Sequence, residues 1–159
     1  MKKLSIIFLL SSSFIFADTT FVSGSVNGTW TAAGSPYIVT NNLIIQPSDT
    51  LNIDPGVNVL FAGEYRMDVF GLLKANGAND NHITFASTDA GSFRWHSLNF
   101  SDESNDSSSL NYCSFQNGSE SGYEPYHGMI NCNNSSPTIS NSTFNDHNKR
   151  GIHLKNSNS

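Results

Sequence analysis

Two short phrases of this sequence recur at a spacing that fits one coil of a solenoid. Positions 130–135, Ile-Asn-Cys-Asn-Asn-Ser, return as Ile-His-Leu-Lys-Asn-Ser at 152–157, a shift of 22 along the chain. Positions 110–115, Leu-Asn-Tyr-Cys-Ser-Phe, return as Ile-Ser-Asn-Ser-Thr-Phe at 139–144, a shift of 29. Short alternating apolar pairs joined by Asn, Ser and Gly turns at such periods are typical of stacked parallel strands. The repeat therefore predicts an all-β fold, a parallel β-helix.

Much of the remaining chain is divided into similar alternating segments. Inward apolar residues are expected at 43/45, 51/53, 57/59/61, 67/69, 73/75, 83/85 and 98/100. Clusters of Pro, Gly, Asn and Asp end these segments. Grouped in threes, they give a coil period of about 24, from Leu43 to Met67 and from Val59 to Ile83. Unequal loops at 101–109 and 116–127 lengthen later coils, so we expect coil periods that range from 22 to 30.

The segment 1–17 differs in character from the rest of the chain. Lys2 and Lys3 precede an apolar run, and Ala17 leads into the polar Asp18. This order is typical of a secretory signal peptide, with cleavage between Ala17 and Asp18. The apolar run is shorter than the ~20 residues of a membrane span, which favours cleavage over an uncleaved anchor. We therefore expect a secreted or cell-surface protein with no membrane span in the mature chain.

Cleavage would leave a mature chain of positions 18–159, which is long enough for one domain. We divide it into an N-terminal lead or cap at 18–36 and β-helix repeats at 37–159. The last coil is incomplete, because no segment after Ser157 matches the strand-like residues that follow Ser135. This predicts a fragment truncated at its C-terminal end, or an end covered by another surface. That surface would be further coils of a longer chain or a capping partner.

The charge balance restricts the partners of the mature chain. Once Lys2 and Lys3 are removed, it has 6 basic and 13 acidic residues, a formal charge of −7. Nucleic acids and anionic membranes attract a positive field, so the charge disfavours both. Charged residues make up 13% of the full chain, against about 25% in typical domains. Asn and Ser take their place, as suits a β-rich exported protein.

Three further segments carry a family resemblance. They are Leu-Asn-Ile-Asp-Pro-Gly-Val at 51–57, Asn-His-Ile-Thr-Phe-Ala-Ser at 81–87 and Trp-His-Ser-Leu-Asn-Phe at 95–100. With the repeats, they resemble the bacterial right-handed parallel β-helix repeat proteins, which share the pectate-lyase-like architecture. The resemblance covers residues 34–159 and implies right-handed coils in an exported or surface-associated protein. The same fold also carries polysaccharide-cleaving enzymes, so the fold alone does not decide activity.

Aromatic residues are the candidate ligand-binding residues. Trp95, Tyr123 and Tyr126 could stack on the apolar faces of sugar rings. For Trp95 the alternative is packing at the start of a strand. Tyr123 and Tyr126 lie in a Gly-rich loop, where binding residues are often found.

Three carboxylates form the candidate metal site. Asp102, Glu103 and Asp106 lie within five residues and could offer oxygen ligands to Ca²⁺. The segment lacks the spacing of an EF-hand, so a solvated turn is the alternative. Apart from this calcium ion, we expect no cofactor.

The two cysteines allow two interpretations. Export would permit a disulfide between Cys113 and Cys132. Each also occupies an apolar position of its phrase, where the paired copy has Ser142 or Leu154. They could therefore be small buried core residues instead.

Matching positions in the repeats predict two pairs of neighbours. Asn134 and Asn156 are separated by the same period of 22, which predicts stacked turn residues in left-handed conformation with amides bonded between coils. His127 and His153 also fall near matching positions. A zinc site needs three or four converging ligands, and the sequence does not supply them.

No compact catalytic motif accompanies the repeat. A hydrolase of this fold needs paired carboxylates, whereas Asp68 and Asp89 are isolated and Asp146 has no partner at the repeat spacing. We expect a structural, adhesive or glycan-contacting surface without a catalytic residue, and polysaccharide or a cell-surface component as partner. The alternative is the N-terminal part of a carbohydrate-active enzyme, a polysaccharide lyase or glycoside hydrolase, whose catalytic coils are missing. A third reading is a truncated remnant without function.

Overall fold

Alternating apolar and polar residues form short strands throughout residues 19–119 and 127–158, the part of the chain that the computed structural model describes. The strands are β1 (Thr20–Ser25), β2 (Gly28–Trp30), β3 (Tyr37–Ile45), β4 (Thr50–Ile53), β5 (Asn58–Phe61), β6 (Met67–Val69), β7 (Leu72–Asn76), β8 (Ile83–Ser87), β9 (Leu98–Phe100), β10 (Ser109–Asn111), β11 (Cys113–Gln116), β12 (Gly128–Asn133), β13 (Thr138–Ser140), β14 (Thr143–Asn145) and β15 (Arg150–Lys155). A 3₁₀ turn, Ala32–Gly34, lies between β2 and β3. The predicted all-β class is confirmed.

The named strands pair only in parallel, and the chain returns to the same face after every third segment. The first face has the order β1, β3, β5, β8, β11, β14 and uses the first halves of β1 and β3. The second face has the order β1, β3, β6, β9, β12, β15 and uses their second halves. The third face has the order β2, β4, β7, β10, β13. This solenoid-like arrangement is compatible with a β-helix.

The strand register confirms both sequence repeats. Ile130 lies beside Ile152, and Cys132 lies beside Leu154, across β12 and β15. Leu110 likewise lies beside Ile139 across β10 and β13. Phe115 and Phe144 are also paired, across β11 and β14. Each of the two sequence periods therefore measures a single coil.

The predicted coil lengths are partly wrong. Leu43 pairs with Met67 as expected, but Val59 pairs with Phe85 rather than Ile83. Mutual backbone hydrogen bonds between Ala78 and Asn81, of 3.1 and 3.0 Å, close a turn that lengthens this coil by two residues. The shift of two preserves the inward face, because side chains alternate with period two.

Three spacings between paired residues are longer than the predicted range of coil periods. Met67 and Leu98 are 31 apart, and Leu98 and Ile130 are 32 apart. The longest spacing runs from Ala75 on β7 to Leu110 on β10. Two loops, at 88–97 and 101–108, fall within it. Insertions between faces lengthen the chain path while the paired strands keep their register.

The inward apolar residues stack from coil to coil into one core. Met67, Leu98 and Ile130 follow one another on the second face and are fully or nearly fully buried. On the first face, the rings of Phe85 and Phe115 stack at a centroid distance of 5.0 Å. Each strand is too short to bury its apolar side chains alone, so stacking on the neighbouring coil stabilises both.

Residues of the N-terminal lead also join these sheets. Phe21 and Val22 lie within β1, which pairs with β3. β2 pairs with β4, and Trp30 stacks on Tyr37 at 4.5 Å. Among the described residues, no helix has the length and apolar character needed to cross a membrane.

Candidate ligand-binding site

A row of polar side chains crosses the outer side of the second face. Asp68, Asn99 and Asn131 are register partners on the adjacent strands β6, β9 and β12. Asn99 Nδ2 donates to Asp68 Oδ1 at 2.8 Å, and Asn131 Nδ2 donates to Asn99 Oδ1 at 2.9 Å. We call these three residues the polar row. Their hydrogen bonds connect three successive coils.

Strand alternation explains why these residues share a side. Each occupies the middle of an apolar-polar-apolar triplet, such as Met67-Asp68-Val69. The flanking side chains turn inward, so the middle one turns outward. The row is nevertheless covered, since Asp68 is 9% exposed, Asn99 4% and Asn131 1%. Buried polar groups of this kind need hydrogen-bond partners, and the row supplies them internally.

Further hydrogen bonds hold the two ends of the polar row, Asp68 and Asn131. Arg66 Nε lies 3.2 Å from Oδ1 and 2.9 Å from Oδ2, in a charge-assisted contact. At the other end, the backbone N–H of Gly128 donates to Asn131 Oδ1 at 2.8 Å. Asn131 Nδ2 also donates to the Gly128 carbonyl at 2.8 Å. Both ends of the row are therefore held in place.

The row lines a narrow cleft of about 60 Å³. Its walls include Asp68, Asn99 and Asn131, with Phe70, Ser101 and Asn133 nearby. Phe70 and Asn133 are both half-buried and so remain partly accessible. The volume corresponds to roughly four or five water-sized positions. A carboxylate, amides and a hydroxyl could exchange hydrogen bonds there with a hydroxylated ligand, and an aromatic ring could cover an apolar surface.

The two predicted neighbours His127 and His153 lie close together, as expected. Their ring centroids are 5.1 Å apart, and the rings are nearly perpendicular at 84°. His153 is the register partner of Asn131, so the pair lies beside the end of the polar row. Among residues 19–119 and 127–158, no three His, Cys, Asp or Glu side chains are arranged to hold a metal ion.

Trp95 does not form a sugar-binding platform. It is fully buried, and its ring stacks on Phe61 at 4.7 Å. Its indole Nε1 donates to the carbonyl of Gln116 at 2.8 Å. The loop before β9 folds back so that this side chain enters the core. We therefore withdraw Trp95 as a ligand-binding residue and retain the packing interpretation.

The structure places the predicted calcium ligands in a solvent-exposed loop. Asp102, Glu103 and Asp106 are exposed in the loop between β9 and β10. Asp106 Oδ1 accepts a hydrogen bond from the backbone N–H of Ser136 at 2.7 Å. This bond ties the loop to the next coil. The solvated-turn interpretation fits, and the calcium hypothesis gains no support from the loop.

Cys113 and Cys132 are both buried and are not joined by a disulfide. Cys113 pairs with Ile83 on the first face, whereas Cys132 pairs with Phe100 on the second. Burial raises the pKa of the Cys113 thiol to about 12, which keeps it protonated and unreactive at neutral pH. The disulfide hypothesis is wrong here, and the core interpretation is retained.

Four of the predicted site residues lie outside the described part of the chain. They are the aromatic candidates Tyr123 and Tyr126, together with Ala17 and Asp18 of the cleavage site. Their roles stay predictions.

The sequence carries a signal for the polar row that a search for paired carboxylates does not reveal. Asp68 has no acidic partner at a repeat spacing. Its neighbours are amides, and they follow at intervals of 31 and then 32 along the chain. The recurring apolar-polar-apolar triplets Met67-Asp68-Val69, Leu98-Asn99-Phe100 and Ile130-Asn131-Cys132 could have revealed it. Asp146 likewise has an amide partner rather than an acidic one: Asn117, 29 residues earlier, donates its Nδ2 to Asp146 Oδ2 at 2.6 Å.

Comparison with known proteins identifies no relative: no family model, curated protein or solved structure matches this chain.

Proposed function

We propose that this chain is an exported, right-handed parallel β-helix whose second face contacts a glycan of a cell surface or of extracellular polysaccharide. The polar row beside Phe70 is the observation that carries this proposal. Sugars present hydroxyl groups beside apolar ring faces, and the cleft combines complementary groups for both. The right hand is supported by the strong preference of parallel crossovers for that hand. Export rests on the segment 1–17, and secretion or surface location follows from it.

Binding without cleavage is favoured by the chemistry of the cleft. Glycoside hydrolysis uses two carboxylates on either side of the scissile bond. Among the described residues that line the cleft, Asp68 is the single carboxylate, and Arg66 and Asn99 already engage it. The alternative function, a carbohydrate-active enzyme, would need a second carboxylate near Asp68. A rigid binding surface needs only the groups that are present.

The test is a glycan array, followed by calorimetric titration of the purified chain with the soluble oligosaccharide that binds. Phe70→Ala removes the ring beside the cleft, and Asp68→Asn removes the carboxylate charge while keeping its shape. We expect Asp68→Asn to weaken binding at least about tenfold, since a hydrogen bond to a charged group contributes ~1.5–3 kcal/mol. Phe70→Ala should also weaken binding, because it removes the ring that would cover the apolar face of a sugar. Phe21→Ala is the matched control, because Phe21 is 70% exposed on the first face.

Thermal unfolding of each variant would separate a lost contact from a lost fold. Binding that is unchanged in Phe70→Ala and Asp68→Asn would reject the cleft as the glycan site. Binding that weakens equally in Phe21→Ala would reject it too. Release of shortened products from the oligosaccharide would favour the enzyme instead.

A further inference from the structure

Strands β13, β14 and β15 leave one end of the stack apolar and exposed. Ile139, Phe144, Ile152 and Leu154 line an open depression of about 250 Å³ at this end. Ile152 is 38% exposed and Leu154 is 44% exposed. Exposed apolar surface that is contiguous in this way commonly marks an interaction site.

The preceding coil shows what would cover this surface. Ile130 and Cys132 are the register partners of Ile152 and Leu154, and both are fully buried. Leu110, the partner of the half-buried Ile139, is fully buried as well. Among the described residues, these positions are thus buried in the coil that has another coil on each side, and they are exposed or half-buried in the coil that has one on a single side. One added strand layer would restore their burial.

The backbone of β15 can also form hydrogen bonds with an added strand. β15 is six residues long and pairs with β12 along one edge. Among the described residues, no strand pairs with its other edge. An open edge presents N–H and C=O groups that can bond an extended segment of another chain.

The charged residues around the open edge of β15 indicate which charge a binding segment should carry. Arg150 and Lys155 stand at the two ends of β15, and Lys149 precedes it; all three are exposed. Asp146 is the only acidic residue in the described part of this coil, 141–158, and it already accepts hydrogen bonds from Arg94 and Asn117. The edge is therefore basic, in a chain whose formal charge is −5. A segment with carboxylates at its ends would complement it.

A second copy of the chain fits this edge poorly. In a two-fold pairing of β15 with β15, the strands would run antiparallel. Arg150 would then lie opposite Lys155 at both ends, and directly opposed like charges are destabilising.

We propose that β15 binds an extended partner segment with alternating apolar residues between acidic ends, which adds to its open edge as the next strand. The apolar residues cover Ile152 and Leu154, and the carboxylates pair with Arg150 and Lys155. Partner binding at the open edge of β15 does not use the residues that line the cleft.

The test is fluorescence anisotropy with a labelled, capped peptide that alternates valine and threonine between glutamates at both ends. A matched peptide carries lysines in place of the glutamates. We expect the acidic peptide to bind the purified chain about tenfold more tightly, since two exposed ion pairs of ~0.2–1 kcal/mol each become two repulsive contacts in the lysine peptide. Arg150→Glu combined with Lys155→Glu should reverse the preference.

Leu154→Asp should abolish binding of the acidic peptide, whereas Phe21→Ser on the first face should leave it unchanged. Circular dichroism would confirm that both variants keep their strands. Equal binding of the two peptides, or equal losses in both variants, would overturn the proposal. Sedimentation that shows wild-type dimers and Leu154→Asp monomers would overturn it as well, because a second copy would then be the occupant.

Discussion

At the residue scale, turn residues in left-handed conformation are matched between neighbouring coils. Among the described residues, six that are not glycine have positive φ, and they form the pairs Tyr112/Asn141, Asn117/Asp146 and Asn134/Asn156. Asn156 Nδ2 donates to Asn134 Oδ1 at 3.0 Å, so the predicted asparagine ladder is confirmed. Asn and Asp tolerate this conformation because their short polar side chains bond locally. The same turn geometry is thus repeated from coil to coil.

Asp146 provides a pH-dependent test of one such pair. Hydrogen bonds from Arg94 and Asn117 lower the pKa of Asp146 below its usual value. Because the folded pKa is depressed, the contact stabilises the fold above the unfolded pKa of ~3.9. That stability is lost as the pH falls from there through the folded pKa. We expect Arg94→Gln to raise the Asp146 pKa toward its usual value in an NMR titration.

Asp89 is the internal control for this titration. Hydrogen bonds from the Ser92 hydroxyl and then the Gly91 backbone N–H lower its pKa, without a contribution from Arg94. The Asp89 pKa should therefore stay low in Arg94→Gln. A variant in which both pKa values move, or neither does, would contradict the assignment of the Asp146 shift to Arg94.

At the element scale, the first face is held by an aromatic stack through three coils. Phe115 lies between Phe85 and Phe144, at centroid distances of 5.0 and 5.1 Å. Phe115 is fully buried, whereas Phe144 is only half-buried at the end of the stack. The burial of these rings therefore depends on their position in the stack, although all three residues are phenylalanine.

This difference predicts unequal costs for the same substitution. Phe115→Ala should lower the free energy of unfolding by about 3–5 kcal/mol, because it leaves a cavity between two rings. Phe144→Ala should cost clearly less, since its ring already contacts solvent. Urea denaturation of both variants measures the comparison. Equal losses would mean that Phe144 is covered in solution.

Strand positions were predictable because each depends on local alternation. The alternation within Met67-Asp68-Val69 predicts a strand with two inward residues, without any information about neighbouring strands. Register was less predictable. The pairing of Val59 with Phe85 depends on how many residues the turn around Ala78 absorbs, and turn length is decided by hydrogen bonds that close on folding.

At the scale of the whole molecule, each coil is stabilised by the coils beside it. β5 pairs with both β3 and β8, whereas β15 pairs with β12 along one edge. In such arrays, stability is the sum of repeat terms and nearest-neighbour terms, so terminal repeats are the weakest.

Hydrogen exchange should report this gradient along the stack. We expect amides of β14 and β15 to exchange at least about tenfold faster than those of β5 and β6, which corresponds to ~1.4 kcal/mol less local stability. Mass spectrometry of peptides covering these strands measures it. Uniform protection from β3 to β15 would contradict nearest-neighbour stabilisation and indicate one cooperative unit.

The sequence by itself determined the all-β class, the strand positions, the asparagine ladder and the proximity of His127 and His153. These follow from local alternation and from the shift of 22 between the repeated phrases, which places equivalent residues of β12 and β15 side by side. Only the tertiary structure decided that Asp68, Asn99 and Asn131 meet, that Trp95 is buried and that the two cysteines lie on different faces. The reason is that loops of unequal length separate these residues. Which side chains finally touch depends on how each loop folds back onto the stack.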